Sequence, residues 1–484
     1  MELSNYKPKE VIKYFEEICK IPHGSKNVEK ISQYLVDFAK DKGLSYIQDD
    51  DLNVVIKKPA TKGYESAEPV ILQGHMDMVA IGDISEETGV DAYVEDGFIT
   101  AKNSTLGADD GIAVAYMLAL LEADDIPHPA LECVFTTDEE IGMLGAISLD
   151  ASILEGKTMI NVDSEQEGVL TVGCAGGATI KCSFPFRQET FTAPIVEFKI
   201  SNITGGHSGG EIHKQGANAN VVMGRILLTL LQNMEIRILS INGGDKDNAI
   251  ATFAEAAVVI SQEEEAKTKA LEIIENTFNE IKDEYSFTDP NMKLEKNYLD
   301  MSLVNVVSGA ATLTTIVALS QFDNGVIKME PSMKDMVRTS QNLGIVRTLD
   351  NSIDIEILVR SSVESEKNYQ VEKIKALAEI FGGVVTVEND YPGWKYKEES
   401  RLREVFVDCY KELYKDADDS LKEPVVETVH AGLECGIFTG KIEGLDVVSI
   451  GPQMYDIHTV DERIEIASIE RTWELLKAVL KKLK

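Results

Sequence analysis

The sequence lacks the features that define disordered, exported and membrane-spanning chains. Only 13 of its 484 residues are proline, and its hydrophobic content of 44% is that of a packed globular protein. No window contains the roughly 18 consecutive apolar residues that a membrane span requires. The first twenty residues form an amphipathic helical pattern without a basic region followed by an apolar stretch, so no export signal is expected. These absences predict a cytoplasmic protein with a large buried core.

Paired cysteines and basic residues are also scarce. The 6 cysteines form no CxxC pair and show no framework spacing, which predicts reduced, buried thiols without a chemical role. Lys and Arg total 47 against 82 for Asp and Glu, which gives a formal net charge of -35. Such an excess of negative charge repels a phosphate backbone. Nucleic acid is therefore not an expected partner, and the lack of an apolar span means that a membrane is not expected either.

The length of the chain predicts more than one domain, because hydrophobic cores stop growing at roughly 250 to 300 residues. From about residue 50 to 165, apolar strand patterns alternate with helical patterns, which predicts an α/β fold with βαβ units on a largely parallel sheet. Strands separated by long helices follow, and they predict an inserted α+β domain. We expect residues 1 to 185 and 397 to 484 to form one discontinuous domain, and residues 186 to 396 to form the insert.

The first candidate motif is GHMDMV, at the carboxyl end of an apolar strand, where functional residues of parallel sheets gather. His75 and Asp77 are two residues apart, so their side chains point to the same side of the strand. A histidine that binds metal usually has its second nitrogen held by a carboxylate, which makes His75 a candidate ligand and Asp77 its candidate holder. The motif alone also fits an ordinary surface hydrogen bond.

Two acidic motifs follow. Asp109 and Asp110 in GADDG begin an apolar helix, where acidic residues also serve to complement the helix dipole. The flanking glycines permit a tight turn and a close approach of the backbone to an ion. Further along, the run Asp138, Glu139 and Glu140 follows a strand directly, and its mutual repulsion is relieved either by solvent or by a shared cation.

Two more candidate ligands complete the set. Asp163 ends another apolar strand in MINVDSE, and His458 lies in the loop GPQMYDIHTVDERI before the last helix. Two histidines and several carboxylates from separate strand ends make the mixed nitrogen and oxygen set that suits zinc or another divalent first-row metal.

These motifs occur in the order of a known family. GHMDMV, GADDG, TDEEIG, NVDSE, GGHSGG and GPQMYDIHTVDER together resemble the dinuclear-zinc superfamily of aminoacylases, peptidase T and carboxypeptidases. HAGLECGIF at residues 430 to 438 is similar to the aminoacyl-histidine dipeptidase branch, also called Xaa-His dipeptidase or carnosinase-like peptidase D. The resemblance implies a phosphorylase/hydrolase-like metallopeptidase domain with a mostly parallel central sheet, formed by residues 1 to 185 and 397 to 484, and an α+β lid domain at 186 to 396.

The resemblance also implies roles for the candidate residues. His75 and Asp163 would bind one Zn2+, Glu140 and His458 would bind the other, and Asp109 would bridge both. Mn2+ or Co2+ are expected substitutes. Asp77 would orient His75, and Glu139 would be the general base that removes a proton from water, so that a metal-bound hydroxide attacks the peptide carbonyl. Asp110 departs from the pattern, because many of these dipeptidases carry Asn at this position.

For the substrate, the resemblance implies four further residues. His207 in GGHSGG would stabilise the oxyanion, in its own site or in that of a partner in a homodimer. Arg360 would bind the terminal carboxylate of the substrate, although an exposed strand arginine fits its pattern equally. Asn248 and Gly432 would be additional contacts. His23, His128 and His213 are expected to be structural or exposed, and the role of His430 stays open.

The leading interpretation is a cytosolic metallopeptidase that hydrolyses unblocked dipeptides, with carnosine-like Xaa-His substrates among them. A tripeptide aminopeptidase or an N-acyl-amino-acid deacylase could use the same site. A metal-binding scaffold without catalysis is a third alternative, and the presence of Glu139 beside all five candidate ligands argues against it.

Overall fold

The structure is a computed structural model that describes residues 3–334, 336–416 and 422–484. The chain divides into two compact units. The first comprises Met1–Cys174, Trp394–Thr428 and Leu433–Lys484, and the second comprises Ala175–Gly393 and Val429–Gly432. Strands and helices are numbered below along the chain.

Residues 3 to 174 contribute most of the first unit. Their strands are β1 (Ser45–Gln48), β2 (Val54–Lys58), β3 (Val70–His75), β4 (Ala92–Glu95), β5 (Phe98–Ala101), β6 (Leu131–Thr136), β7 (Thr158–Asn161) and β8 (Val169–Cys174). Their helices are α1 (Lys9–Cys19), α2 (Glu29–Lys42), α3 (Ala108–Glu122) and α4 (Leu144–Ser148), with short 3-10 turns at Leu3–Asn5 and Ala151–Ile153.

Residues 175 to 393 contribute most of the second unit. The strands are β9 (Gly176–Pro185), β10 (Gln188–Ser201), β11 (Gly206–His207), β12 (Arg237–Gly243), β13 (Ala249–Ile250), β14 (Ala254–Val259), β15 (Lys293–Val307), β16 (Gly325–Met329), β17 (Val337–Thr348), β18 (Ser352–Ser361) and β19 (Val384–Tyr391). The helices are α5 (Ala219–Asn233), α6 (Glu264–Glu284), α7 (Gly309–Gln321) and α8 (Glu364–Ile380), with a 3-10 turn at Ile212–Lys214.

The remaining elements follow residue 393. They are β20 (Val425–Val429), β21 (Asp446–Ser449), β22 (Met454–Tyr455), β23 (Arg463–Glu465), α9 (Arg401–Leu413), α10 (Glu434–Lys441) and α11 (Ile466–Lys482). Among the described helices, none is long and apolar enough to cross a bilayer.

The first unit is built on an eight-stranded sheet of order β1-β2-β6-β3-β7-β21-β8-β20. Its central strands β6, β3, β7 and β21 are parallel neighbours, whereas β1, β2 and β8 join it in antiparallel fashion. This arrangement confirms the predicted α/β fold with a largely parallel sheet. Because β3 pairs with β6 and β7 in parallel, the residues that follow these strands lie at one edge of the sheet.

The helix α3 is the centre of the core of this unit. It is apolar on all sides, and every residue from Gly111 to Leu121 is buried, as expected for a helix enclosed by other elements. Tyr116 on α3 stacks on Trp473 of α11 with ring centroids 5.9 Å apart, and its hydroxyl donates to the carbonyl of Ile469 at 2.9 Å. The first turn of α3, which carries Asp109 and Asp110, is therefore continuous with a buried helix that packs on α11.

The second unit is a nine-stranded sheet of order β15-β10-β14-β12-β17-β18-β9-β19, with β16 paired to β17. The neighbouring strands of this sheet are antiparallel, and α5 to α8 pack on it, in agreement with the predicted α+β insert. β9 pairs with β18 and β19 in this sheet, and it precedes the predicted start of the insert at 186. Residues Val429–Gly432 also belong to this unit.

Candidate metal centre

His75 is the last residue of β3 and is 1% exposed. Its Nδ1 lies 2.9 Å from the backbone carbonyl of Asp77. Because a carbonyl oxygen can only accept, Nδ1 carries the proton, and Nε2 keeps the lone pair that a metal would take. The carboxylate of Asp77 is farther away, with Oδ1 at 3.5 Å from Nδ1. The backbone of Asp77 therefore contributes more directly than its side chain to the orientation of the imidazole.

The carboxylate of Asp77 instead contacts the turn after β6. It accepts hydrogen bonds from the Ser25 hydroxyl at 2.8 Å and from the backbone N–H groups of Glu139 at 3.0 Å and Glu140 at 3.4 Å. Burial opposes its ionisation, but the neighbouring imidazole of His75, the N–H of Glu139 and the Ser25 hydroxyl lower the pKa of Asp77 below its usual value. Asp77 thus ties the strand that carries His75 to the turn that carries the two glutamates.

Asp109 lies between two histidines. Its Oδ1 is 3.3 Å from Nε2 of His75, and its Oδ2 is 3.1 Å from Nε2 of His458. The same Nε2 of His458 is 2.9 Å from Oε1 of Glu140. These contacts raise the pKa of His458 to about 10. A carboxylate with one oxygen toward each imidazole has the arrangement that a bridging ligand requires.

The turn before α3 makes this placement possible. Gly107 has a φ of +73°, in the left-handed region that glycine adopts readily. A Cβ at this position would lie 2.6 Å from the sulfur of Met78, so the glycine also permits a close approach of two segments. Asp109 and Asp110 have non-helical backbone angles inside the first turn of α3. The expected tight turn at GADDG is therefore present.

Asp163, Asp110 and Glu139 also lie close to His75. Oδ1 of Asp163 is 3.7 Å from Nε2 of His75, and Oε2 of Glu139 is 4.0 Å from it. Asp110 accepts a hydrogen bond from the backbone N–H of His75 at 3.1 Å, whereas its buried Oδ1 has no hydrogen-bond partner among the described residues.

Two groups of side chains in the described part of the chain could each hold a metal ion. They are His75, Asp109 and Glu140, and His75, Asp110 and Asp163, with donor atoms within 4.8 Å of one another in each group.

Burial and the nearby carboxylates, chiefly Glu434 and Glu140, raise the pKa of Glu139 to about 8, and burial raises the pKa of Asp163 well above its usual value. So much buried carboxylate is unfavourable without a cation, and the mixed donor set fits divalent zinc.

The sequence did not predict a buried polar network around Glu434, next to the candidate ligands. Glu434 accepts hydrogen bonds from Gln73 at 2.5 Å and Thr136 at 2.7 Å, and Asn161 donates to Gln73 at 2.7 Å. Gln73, Thr136 and Asn161 are strand residues near His75, Glu139 and Asp163 in the sequence. The signal for Glu434 was its place in HAGLECG, but only the fold brings it to the sheet. Glu462, in the motif of His458, was also missed.

The predicted substrate residues belong to the second unit. The side chain of Arg360 is 5% exposed, which excludes an exposed strand arginine. Its Nη1 donates to the Tyr391 hydroxyl at 3.0 Å, and its Nη2 lies 3.3 Å from Nε2 of His207. Burial and the charge of Arg360 lower the pKa of His207 below its usual value. Asn248 is next to this pair, because its carbonyl accepts from the N–H of Ser208 at 2.8 Å.

Gly432 and His430 lie in the short second segment of this unit. Nε2 of His430 is 2.7 Å from the Ser340 hydroxyl, and burial together with the charge of Arg360 lowers the pKa of His430 to about 3. His23 and His128 are buried and contact backbone carbonyls, and His213 is exposed, as expected for histidines outside the metal set.

The parallel sheet and the cluster of histidines and carboxylates at its strand ends define an α/β metallohydrolase. A sequence profile described as "Peptidase family M20/M25/M40" matches residues 71–482. The chain therefore belongs to peptidase family M20/M25/M40, and it is a metallopeptidase, as the resemblance predicted.

Two relatives extend over nearly the whole chain. The cytosol non-specific dipeptidase of Escherichia coli is 34% identical over 491 residues, which cover 100% of this chain and 99% of that protein. The crystal structure of aminoacylhistidine dipeptidase from Vibrio alginolyticus is similar with a TM-score of 0.90 and 32% identity, over 99% of this chain and 98% of that one. The aminopeptidase PepT of Bacillus cereus has a TM-score of 0.56 at 18% identity, over 99% of each chain, which shows a shared fold alone.

Proposed function

We propose that this protein is a cytosolic dinuclear-metal dipeptidase that hydrolyses unblocked dipeptides, with Xaa-His dipeptides among its substrates. The observation that carries the proposal is the position of Asp109, whose two carboxylate oxygens are 3.3 Å from His75 and 3.1 Å from His458. A single carboxylate shared by two imidazoles is the arrangement expected where two cations lie side by side.

In this proposal His75 and Asp163 would hold one zinc ion, Glu140 and His458 would hold the other, and Asp109 would be shared by both, since its two oxygens face His75 and His458. Zinc is favoured by the mixture of imidazole and carboxylate donors, and Mn2+ or Co2+ can be accepted by the same donors. When bound, the two ions would supply a water of lowered pKa and polarise the carbonyl of the scissile bond. Asp110 offers a further carboxylate on the side of Asp163.

Glu139 moves the proton. Its Oε2 lies 4.0 Å from Nε2 of His75, beside the ligands, while the neighbouring Glu140 contacts His458. Glu139 takes a proton from the attacking water and then donates it to the amine that leaves, which is the work of a general base and acid. The N–H of Glu139 is held by Asp77, so Asp77 positions the base through the backbone.

Four further residues would bind the substrate. Arg360 presents a forked guanidinium that suits the terminal carboxylate of a dipeptide, and its contact with Tyr391 orients that fork. His207 stabilises the oxyanion. Because its pKa is lowered, its imidazole is neutral, and the N–H of that imidazole can donate a hydrogen bond to the oxyanion. Asn248 and the backbone of Gly432 provide further hydrogen bonds to the substrate.

The substrate class is supported by the two full-length relatives, which are named as a non-specific dipeptidase and an aminoacylhistidine dipeptidase. The test compares turnover of Ala-Ala, carnosine, a tripeptide and an acetyl-amino acid by metal-depleted protein to which zinc, manganese or cobalt is restored one at a time. We expect the dipeptides to be cleaved after metal is restored. Turnover of the acetyl-amino acid alone would identify a deacylase, and turnover of the tripeptide alone would identify an aminopeptidase. Absence of turnover with every metal would indicate a scaffold.

A further inference from the structure

The carboxylate of Glu462 accepts hydrogen bonds from four consecutive backbone N–H groups. Oε2 contacts the N–H groups of Leu106 at 2.7 Å and Gly107 at 3.1 Å. Oε1 contacts those of Ala108 at 2.9 Å and Asp109 at 3.4 Å. Successive N–H groups that converge in this way form a concave site for an anion. Here the anion is a side chain of the protein itself, and it is 2% exposed.

This contact joins the two segments that carry Asp109 and His458. Glu462 lies in the same loop as His458, while its four donors lie in the turn that leads to Asp109. The imidazole of His458 and the carboxylate of Asp109 are themselves 3.1 Å apart. The two segments are thus connected twice, once through the candidate ligands and once through Glu462.

The loop around Glu462 is anchored to the rest of the first unit. β23 begins at Arg463 and pairs with β5, and the carbonyl of Glu462 accepts from the Thr100 hydroxyl at 2.8 Å. Arg463 also forms a salt bridge of 2.6 Å with Asp456, which closes the loop on both sides of His458. Glu462 is therefore anchored directly before the first residue of β23.

Ordinary helix capping does not account for this contact. The residues Asp109 and Asp110 have non-helical backbone angles, so the turn that Glu462 binds precedes the regular part of α3. The four N–H groups converge on the carboxylate of Glu462. Because all four are donors, they cannot form hydrogen bonds with one another. A carboxylate can accept from all of them, whereas a side-chain amide would present two donors to part of the same site.

We propose that Glu462 is a positioning residue for the metal centre, which sets the placement of Asp109 between the two cations. The inference rests on the proposed dinuclear site. Glu462 acts through the backbone of the Asp109 turn, and it does not touch metal or substrate. Its loss should therefore weaken metal binding and change the ligand geometry, while the fold of the metal-free protein is kept.

The test compares the full-length wild type with Glu462→Gln, Glu462→Asp and Asp461→Asn. Glu462→Gln keeps the shape but replaces one acceptor by donors, and Glu462→Asp keeps the charge but shortens its reach. Asp461→Asn is the matched control, because it removes the same charge from an exposed neighbouring side chain. Metal-depleted proteins are titrated with cobalt(II), and the visible absorption of bound cobalt reports both affinity and coordination geometry. Circular dichroism of the metal-free proteins reports folding.

We expect both Glu462 variants to fold without metal and to bind cobalt roughly 10- to 100-fold more weakly, with an altered visible spectrum. Asp461→Asn should match the wild type in both. Wild-type affinity and spectrum in the Glu462 variants would overturn the inference while leaving the dinuclear site in place. Failure of the wild type to bind two cobalt ions would refute the proposed function instead. Unfolding of both metal-free variants would assign Glu462 a purely structural role and would also overturn the inference.

Discussion

His458 and Asp109 are separated by 349 positions in the sequence, yet Nε2 of His458 lies 3.1 Å from Oδ2 of Asp109. The loop before α11 and the turn before α3 meet at the edge of the parallel sheet, where β3 and β6 also end. Asp109 thus has one carboxylate oxygen toward His458 and the other toward His75, 3.3 Å from its Nε2.

Replacement of His458 by Ala should remove one of two bound metals. His458 contacts both Asp109 and Glu140, so without it only the two carboxylates would remain to hold the second metal. Elemental analysis after dialysis should give about two metals per chain for the wild type and about one for the variant, with the count following from the proposed two-metal site. His213→Ala is the matched control, because His213 is exposed in a 3-10 turn of the second unit. Two retained metals in His458→Ala would remove this residue from the ligand set.

Replacement of Glu139 by Gln should strongly reduce kcat without loss of metal. The amide keeps the size of the side chain but cannot accept a proton at neutral pH, so kcat should fall by roughly 10²- to 10⁴-fold. Metal content measured on the same sample is the internal control, since Glu140 and the other candidate ligands are unchanged. A variant with two metals and wild-type kcat would show that another group is the base.

Arg360→Lys should raise KM for dipeptides with a free terminal carboxylate. A lysine keeps the charge but loses the fork that binds two oxygens, so KM should rise roughly 10-fold, which corresponds to about 1.4 kcal/mol of binding free energy. The paired substrate is the same dipeptide with an amidated C-terminus, for which wild type and variant should differ little. Tyr391→Phe removes the 3.0 Å contact with Nη1 and should shift KM in the same direction by a smaller factor. Equal effects on both substrates would argue against carboxylate recognition.

Glu167→Gln should lower the free energy of unfolding in a pH-dependent way. Oε1 and Oε2 of Glu167 accept from Arg471 at 2.5 Å each, and Oε1 also accepts from the Tyr414 hydroxyl at 2.5 Å. Burial opposes ionisation, but these partners lower the pKa of Glu167 below its usual value. Because Arg471 is partly exposed, the loss at pH 7 should be about 1 to 2 kcal/mol.

The sign of the pH effect follows from the lowered pKa of Glu167. Its stabilisation is fully present above the unfolded-state pKa of a glutamate, roughly 4.3, and is lost as the pH falls through the lower pKa of the folded state. The difference between wild type and Glu167→Gln in urea unfolding should therefore be largest at neutral pH and shrink below about pH 4. Glu470→Gln, an exposed neighbour on α11, should show no such difference. A deficit that is constant with pH would contradict the electrostatic explanation.

The sequence alone determined the elements and the residue types of the site. Apolar runs that end in His75 and Asp163 predicted strands of a parallel sheet, because such strands are buried on both faces and expose polar residues only where they end. The family resemblance supplied the order of the motifs, and the profile and the relatives confirmed the family. Local pattern did not single out Glu434 or Glu462, since each is one acidic residue among 82 and neither directly follows a strand; the one signal for Glu434 was its place in the HAGLECGIF motif.

Only the tertiary structure decided which groups meet. The partners of Asp109 come from two distant segments, β3 with His75 and the final loop with His458 and Glu462. Their distances depend on how these segments pack around α3. The structure also decided that Nδ1 of His75 contacts the backbone of Asp77 more closely than its carboxylate, and that Arg360 is buried beside Tyr391. Sequence pattern reports the periodicity and chemistry of neighbouring residues, whereas ligand geometry and burial arise from contacts between residues that are far apart in the chain.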